Sequence, residues 1–264
     1  MSAATSTPDV QLQTHGAVPA TDGDYLRQKV AAVLRQAPEP VLFARARLSV
    51  MADPAVARPS IAQVNVDLNG RVVRAQVARE TMQDAIDAVA DRLRDRMERA
   101  ARNWQAIRGR RPLPDSHEWR HTSVPGERPT WFPRPAEERQ IIRHKTFDLR
   151  RMSVEEAVLD MDLLGYRFHL FTDDATGSDS VVALDDDPPY RLSQVDPQPD
   201  RIASDGDRLS VSPQSPPLLA VDEAVERLEV SGAPFVFFQD VATRRGCVLY
   251  HRYDGNYGLI TPRA

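Results

Sequence analysis

A single cysteine, Cys247, stands in 264 residues. That excludes an intrachain disulfide framework and suits a reducing compartment. No apolar run approaches the roughly 20 residues that a membrane-spanning helix needs, so no membrane partner is expected. The start, MSAATSTPDVQLQ, has no basic segment followed by an apolar one, and no secretion signal is expected. Glycine is scarce, at 12 residues, and no P-loop, G-x-G-x-x-G or G-x-S-x-G occurs. Phosphate-cradling loops and a nucleophile elbow are therefore missing. The reading is a cytoplasmic protein that is not an enzyme, with no catalytic residues, no cofactor and no metal.

Charge is present but unevenly placed. Residues 1–111 carry 17 basic and 12 acidic side chains, whereas residues 153–264 carry 9 and 20. A basic front can face nucleic acid, and an acidic back cannot do so comfortably. The 21 prolines point to modular construction with linkers.

After a disordered tail over 1–8, the front reads as β-α-β-β-β-α within residues 1–108. Val10–Gln13 alternates like an edge strand. Asp22 and Asp24 offer N-caps for a helix with Leu26, Val30, Val33 and Leu34 on one face. Three strands follow at Val41–Met51, Ile61–Leu68 and Val72–Ala78, with Asn69-Gly70 as a hairpin signal between the last two. A long helix over Glu80–Ala106 lines up Met82, Ile86, Val89, Leu93, Met97, Ala100 and Trp104. The fold class is α+β, a mixed sheet with two helices on one face.

Periodicity stops at 109–138, a proline-rich linker. It contains His117-Glu118-Trp119-Arg120-His121, which spells the zinc-protease motif H-E-x-x-H. That motif needs a helix to place both histidines on one face, and here it lies among prolines. It reads as linker. A second linker is expected at 194–216.

Between and after the linkers the chain repeats itself. At an offset of 67, Val154–Leu192 matches Val221–Leu259 without a gap, with Glu156/Glu223, Gly165/Gly232, Phe168/Phe235, Asp173/Asp240, Thr176/Thr243 and Tyr190/Tyr257 among the identities. Two small α/β domains, over 139–193 and 217–264, are the result of an internal duplication. Domains this small bury little core and commonly need a partner.

The long helix carries Arg92, Arg96 and Arg99 on one stripe. Arg27, Lys29 and Arg35 extend the basic surface if the two helices lie side by side. Arginine suits phosphate through its planar fork of donors. Pattern alone leaves a solvated helix face with ion pairs, such as Asp95 with Arg99, equally open.

MQDAIDAVADRLRDRM (Met82–Met97) resembles the last helix of bacterial ribosome hibernation promoting factors. IIRHKTFDLRRMSVEEAVLDMDLLGYRFHLFTDDATG (Ile141–Gly177) and YDGNYGLITP (Tyr253–Pro262) resemble the C-terminal domain of that family's long form. The doubled C-terminal domain is similar to the arrangement in actinobacterial, including mycobacterial, dormancy-associated ribosome factors. The resemblance implies a front domain seated on the small ribosomal subunit, between head and body, where messenger and transfer RNA would lie. Arg92 and Arg99 then take basic positions of the family, and Arg96 adds a charge. Asp95 and Glu98 depart from it, where relatives are often basic.

The resemblance also implies that single C-terminal domains pair between molecules. Two copies in one chain are expected to pair internally, through Phe168, Leu170, Phe235 and Phe237, leaving a monomer. The expected partners are ribosomal RNA and proteins, without DNA. A protein-interaction module acting through the acidic copies is the alternative.

Overall fold

The computed structural model describes residues 9–52, 58–109, 134–185, 188–202, 208–252 and 255–263, for 101–109 and 147 the backbone only. The expected disordered tail, most of the proline-rich linker with its H-E-x-x-H, and the Trp104 side chain lie outside what is described. Two compact units are described in turn.

The front unit runs β1 (Val10–His15), α1 (Ala20–Leu34), β2 (Val41–Val50), β3 (Ser60–Leu68), β4 (Arg71–Arg79) and α2 (Met82–Gly109). The sheet order is β1-β2-β3-β4, with β1 parallel to β2 and the other pairs antiparallel. Both helices lie on one face. Period-two alternation decides which face. Ala44, Ala46 and Leu48 of β2, Ala62, Val64 and Val66 of β3, and Val73, Ala75 and Val77 of β4 are all buried. They meet Leu26, Val30 and Val33 of α1 and Ile86, Val89, Leu93 and Met97 of α2, also buried. Each large side chain sealed this way contributes about 1.5–3 kcal/mol.

The β3–β4 turn needs two left-handed residues, and Asn69 (φ 51°) and Gly70 (φ 87°) supply them. Thr81 caps α2, its hydroxyl accepting from the Asp84 N–H at 3.2 Å. Helix α1 starts earlier than its aspartates suggest. Pro19 stands before Ala20 with φ −59°, and Asp22 lies inside the first turn, where a carboxylate suits the helix dipole.

The second unit holds the two copies, except for Met161–Tyr166 of the first. The first supplies β6 (Arg151–Met152), α3 (Val154–Leu164), β7 (Phe168–Asp173), β8 (Asp179–Leu184) and β9 (Tyr190–Gln194). The second supplies β11 (Leu218–Leu219), α4 (Val221–Ser231), β12 (Phe235–Asp240), β13 (Gly246–His251) and β14 (Tyr257–Pro262). Both helices end at a left-handed glycine, Gly165 or Gly232. Asp173 accepts from the Thr176 N–H at 3.0 Å, and Asp240 from the Thr243 N–H at 2.9 Å, which accounts for two of the shared identities.

Each copy also lends a strand to the other. β5 (Ile141–Phe147), which precedes the first copy, runs parallel to β14 of the second. β10 (Leu209–Val211), which precedes the second copy, runs parallel to β9 of the first. The register is the same in both: Arg143 opposite Gly258 repeats as Ser210 opposite Arg191. The two five-stranded sheets are thus β10-β9-β8-β7-β6 and β11-β12-β13-β14-β5. The stretch 194–216, expected as linker, contains β10 and a 3-10 turn at Pro199–Arg201.

Candidate functional site

Two surfaces carry the chemistry, one in each unit. In the front unit α2 crosses over β4, the open edge of the sheet. Arg92 donates to the Gln76 carbonyl at 2.7 Å, and Arg96 to the Arg74 carbonyl. These are main-chain acceptors of the edge strand, so both guanidiniums satisfy groups that an edge otherwise leaves to water. Burial, then the charges of Arg79 and Arg99, lower the Arg92 pKa. Burial, then Arg92 and Arg99, lower that of Arg96 to about 10. Arg99 is half-buried, its Nε donating to the Asp95 carbonyl at 3.3 Å.

On α1, Arg27 pairs with Asp24 at 2.9 Å. Lys29 meets Asp87 of α2 at 2.7 Å, and the Tyr25 hydroxyl donates to the same carboxylate at 2.8 Å. The interactions of Lys29 with Asp87 and then with Tyr25 raise its pKa and outweigh its desolvation. Arg35 is exposed at the helix end, where its N–H closes on the Ala31 carbonyl. Arg92, Arg96 and Arg99 therefore share one stripe, while Lys29 fastens α1 to an earlier turn of α2.

The helix pattern passes over a second group of cations. In Phe43-Ala44-Arg45-Ala46-Arg47-Leu48 the alanines face the helices, so Arg45 and Arg47 project exposed from the uncovered face of the sheet. Arg45 stacks over the Phe43 ring at 5.3 Å. Beside them Arg74 donates to Gln63 at 3.2 Å and to Gln76. Alternating arginine and alanine was the available signal.

In the second unit Phe168 and Phe235 pack at a tilt with ring centroids 4.7 Å apart, and Phe168 lies 5.6 Å from the Tyr250 ring. Leu170, Val181, Ala183 and Val248 form the buried centre of this contact, with Phe168, Phe235, Phe237 and Ile260 packed against it. All four residues expected at the pairing surface lie there. The opposite face of the second copy's sheet packs on α4 through Ala224 and Leu228, with Val236, Phe238, Leu249 and Cys247. Burial pushes the Cys247 thiol up to about 12. Among the described residues no cluster of three His, Cys, Asp or Glu is placed to hold a metal, and no helix is long and apolar enough to cross a membrane.

The exchanged segment is pinned as well. Arg139, just before β5, makes two bonds to Glu229 of α4 at 2.7 and 2.9 Å, and the Tyr257 hydroxyl donates to the same carboxylate.

Comparison with known proteins decides the family. Residues 14–105 match the family described as Sigma 54 modulation protein / S30EA ribosomal protein. Residues 136–192 and 214–259 both match its C-terminal domain, Sigma 54 modulation/S30EA ribosomal protein C terminus. The chain belongs to this family. Its two C-terminal matches make it a long-form member with that domain doubled. It is 35% identical over 262 residues, covering 97% of this chain and 89% of the relative, to the dormancy associated translation inhibitor of Mycobacterium tuberculosis, in two strains. Among solved structures it is similar to the Protein Y N-terminal domain of Thermus thermophilus, with 25% identity, TM-score 0.30, and 35% of this chain and 99% of the other covered. A ribosomal subunit interface protein from Coxiella burnetii is 17% identical, with TM-score 0.27, and 34% and 94% covered.

Proposed function

We propose that this protein is a non-enzymatic cytoplasmic translation silencer. It binds the small ribosomal subunit, occupies the region that messenger and transfer RNA need, and holds idle ribosomes inactive in stress or dormancy. The observation that carries this reading is the family match over the front unit and both copies, continuous with 35% identity to a dormancy associated translation inhibitor. The front unit supports it with cations on two faces, the exposed Arg45 and Arg47 on the sheet and the half-buried Arg99 on α2. Guanidinium groups suit phosphate, and each neutralised phosphate releases counterions. The acidic second unit is ill suited to bare RNA. Its copies pair within one chain, so the protein acts as a monomer on single ribosomes.

A competition experiment tests the reading. Purified small subunits, alone or loaded with messenger and initiator transfer RNA, are sedimented with the protein, and translation in a reconstituted system is followed in parallel. The proposal requires binding to empty subunits, loss of binding to loaded ones and inhibition of synthesis. Equal binding to both, or none to either, contradicts it.

A further inference from the structure

The surface where the copies meet contains a polar site that is not symmetric. Asp179 opens β8, and its repeat counterpart is Gly246, which opens β13. These counterparts touch: the Gly246 N–H donates to the Asp179 carboxylate at 3.0 Å. Phe168 and Phe235, another pair of counterparts in contact, place the same approximate two-fold axis through the interface. The neighbouring position differs too. Ser178 of the first copy corresponds to Arg245 of the second. Arg245 donates to Asp179 through Nε at 2.7 Å and Nη2 at 3.1 Å. The Asp179 side chain is only 7% exposed.

We propose that positions 179 and 246 form a one-carboxylate key that restricts this surface to unlike copies. The partner it fits is a second-type copy, with glycine facing the aspartate and arginine beside it. The partner it excludes is a first-type copy, including that of another molecule of this chain. This deepens the monomer reading made above and rests on the copies pairing as described.

Close approach and charge carry the argument. A Cβ at position 246 would stand 2.9 Å from the Asp179 Cβ, closer than two such atoms sit in folded proteins. Two first-type copies meeting about this axis would bring two aspartates to that spot. Two buried carboxylates would face each other with serine where the arginine should be, and like charges so placed cannot both remain ionised. Two second-type copies would have room, glycine against glycine, but would bring two arginines together without a carboxylate. Only the mixed pair has both space and a charge partner. Covalent connection then makes the mixed encounter intramolecular, at an effective concentration around the millimolar range.

The test uses the full chain. Gly246→Asp puts the first-copy residue on both sides. It is expected to lower the melting temperature of the second unit by roughly 10 °C or more and to broaden the single species seen by light scattering. Adding Asp179→Gly moves the carboxylate to the other side of the axis and should recover a measurable part of the shift, the contacts of the new Cβ with Phe237 at 2.9 Å and Val195 at 3.0 Å being left in place. Asp179→Gly alone loses the bonds from Arg245 and Gly246 but adds neither a clash nor a second carboxylate, so it should cost less than Gly246→Asp. A Gly246→Asp chain that melts and scatters as the parent does, or a double variant that recovers nothing, overturns the proposal. Ribosome co-sedimentation of the same variants reads the front unit separately. Its failure with the melting pattern intact counts against the translation reading and leaves the key standing.

Discussion

Phe168 and Phe235, sixty-seven positions apart and repeat equivalents of each other, pack at a 35° tilt with ring centroids 4.7 Å apart. The duplicated segment therefore meets its own duplicate, and the rings hold two sheets together. Both rings are half-buried. Phe235→Ala should cost the second unit about 2–3 kcal/mol, below the about 3–5 kcal/mol of a fully enclosed phenylalanine. Chemical denaturation followed by tyrosine fluorescence measures this, and a loss under about 0.5 kcal/mol would remove the rings from the account.

The arginines divide into two classes with opposite expectations. Arg92 and Arg96 bind edge carbonyls, so alanine at either should destabilise the front unit by about 1–2 kcal/mol. Arg45 and Arg47 are exposed, and Arg99 is half-buried but bonds only within its own helix, so their triple alanine variant should leave stability within about 0.5 kcal/mol per site. That triple variant should weaken ribosome binding and flatten its dependence on salt by about three counterions. Melting curves together with co-sedimentation at several salt concentrations separate the classes. The reverse split would contradict the assignment.

Much of this arrangement was legible in the residues. Asn69-Gly70 marks its hairpin, and the Ile86, Val89, Leu93, Met97 stripe marks the buried face of α2, because both signals are local. The constant offset reveals the duplication before any strand is drawn. What Arg92 and Arg96 bind was not legible, since a helix stripe names a direction and the acceptors belong to a strand outside that helix. The strand exchange was hidden for the same reason. Ile141–Phe147 does not alternate, and nothing local says whether its neighbour is β9 or β14. Leu209–Val211 is three residues long and stands beside prolines, so it carries too little pattern to be seen as a strand. Arg45 and Arg47 follow from alternation once the helix-covered face is known.

Glu229 predicts a pH response. Burial alone would raise the pKa of its carboxyl. The Tyr257 hydroxyl and the Arg139 guanidinium outweigh that and hold it below the ordinary value. A lowered carboxylate pKa stabilises the fold fully above about pH 4.3, and the contribution is lost as pH falls through the folded-state value. Burial, followed by the Glu229 carboxylate, pushes the Tyr257 phenol up to about 12. That contribution is complete below about pH 10 and fades as pH climbs toward the raised value. Glu229→Gln should flatten both limbs of the melting-temperature profile of the second unit, and an unchanged acid limb would show that this carboxylate carries none of it.

Cys247 offers a probe of the second copy's core. Its thiol is 1% exposed and burial pushes its pKa up to about 12, so almost no thiolate forms at pH 8. The native protein should resist a thiol reagent over hours and react at once in denaturant. Labelling at the rate of a free cysteine would mean that this core opens readily.

The central claim is that one chain silences one ribosome. Sucrose-gradient sedimentation of purified ribosomes saturated with the full-length protein tests it directly, with the protein followed across the gradient by immunoblot. The account predicts that the protein travels with single ribosomes and that no peak of paired ribosomes appears at any protein excess. Protein left at the top of the gradient, or a peak of paired ribosomes, would contradict it.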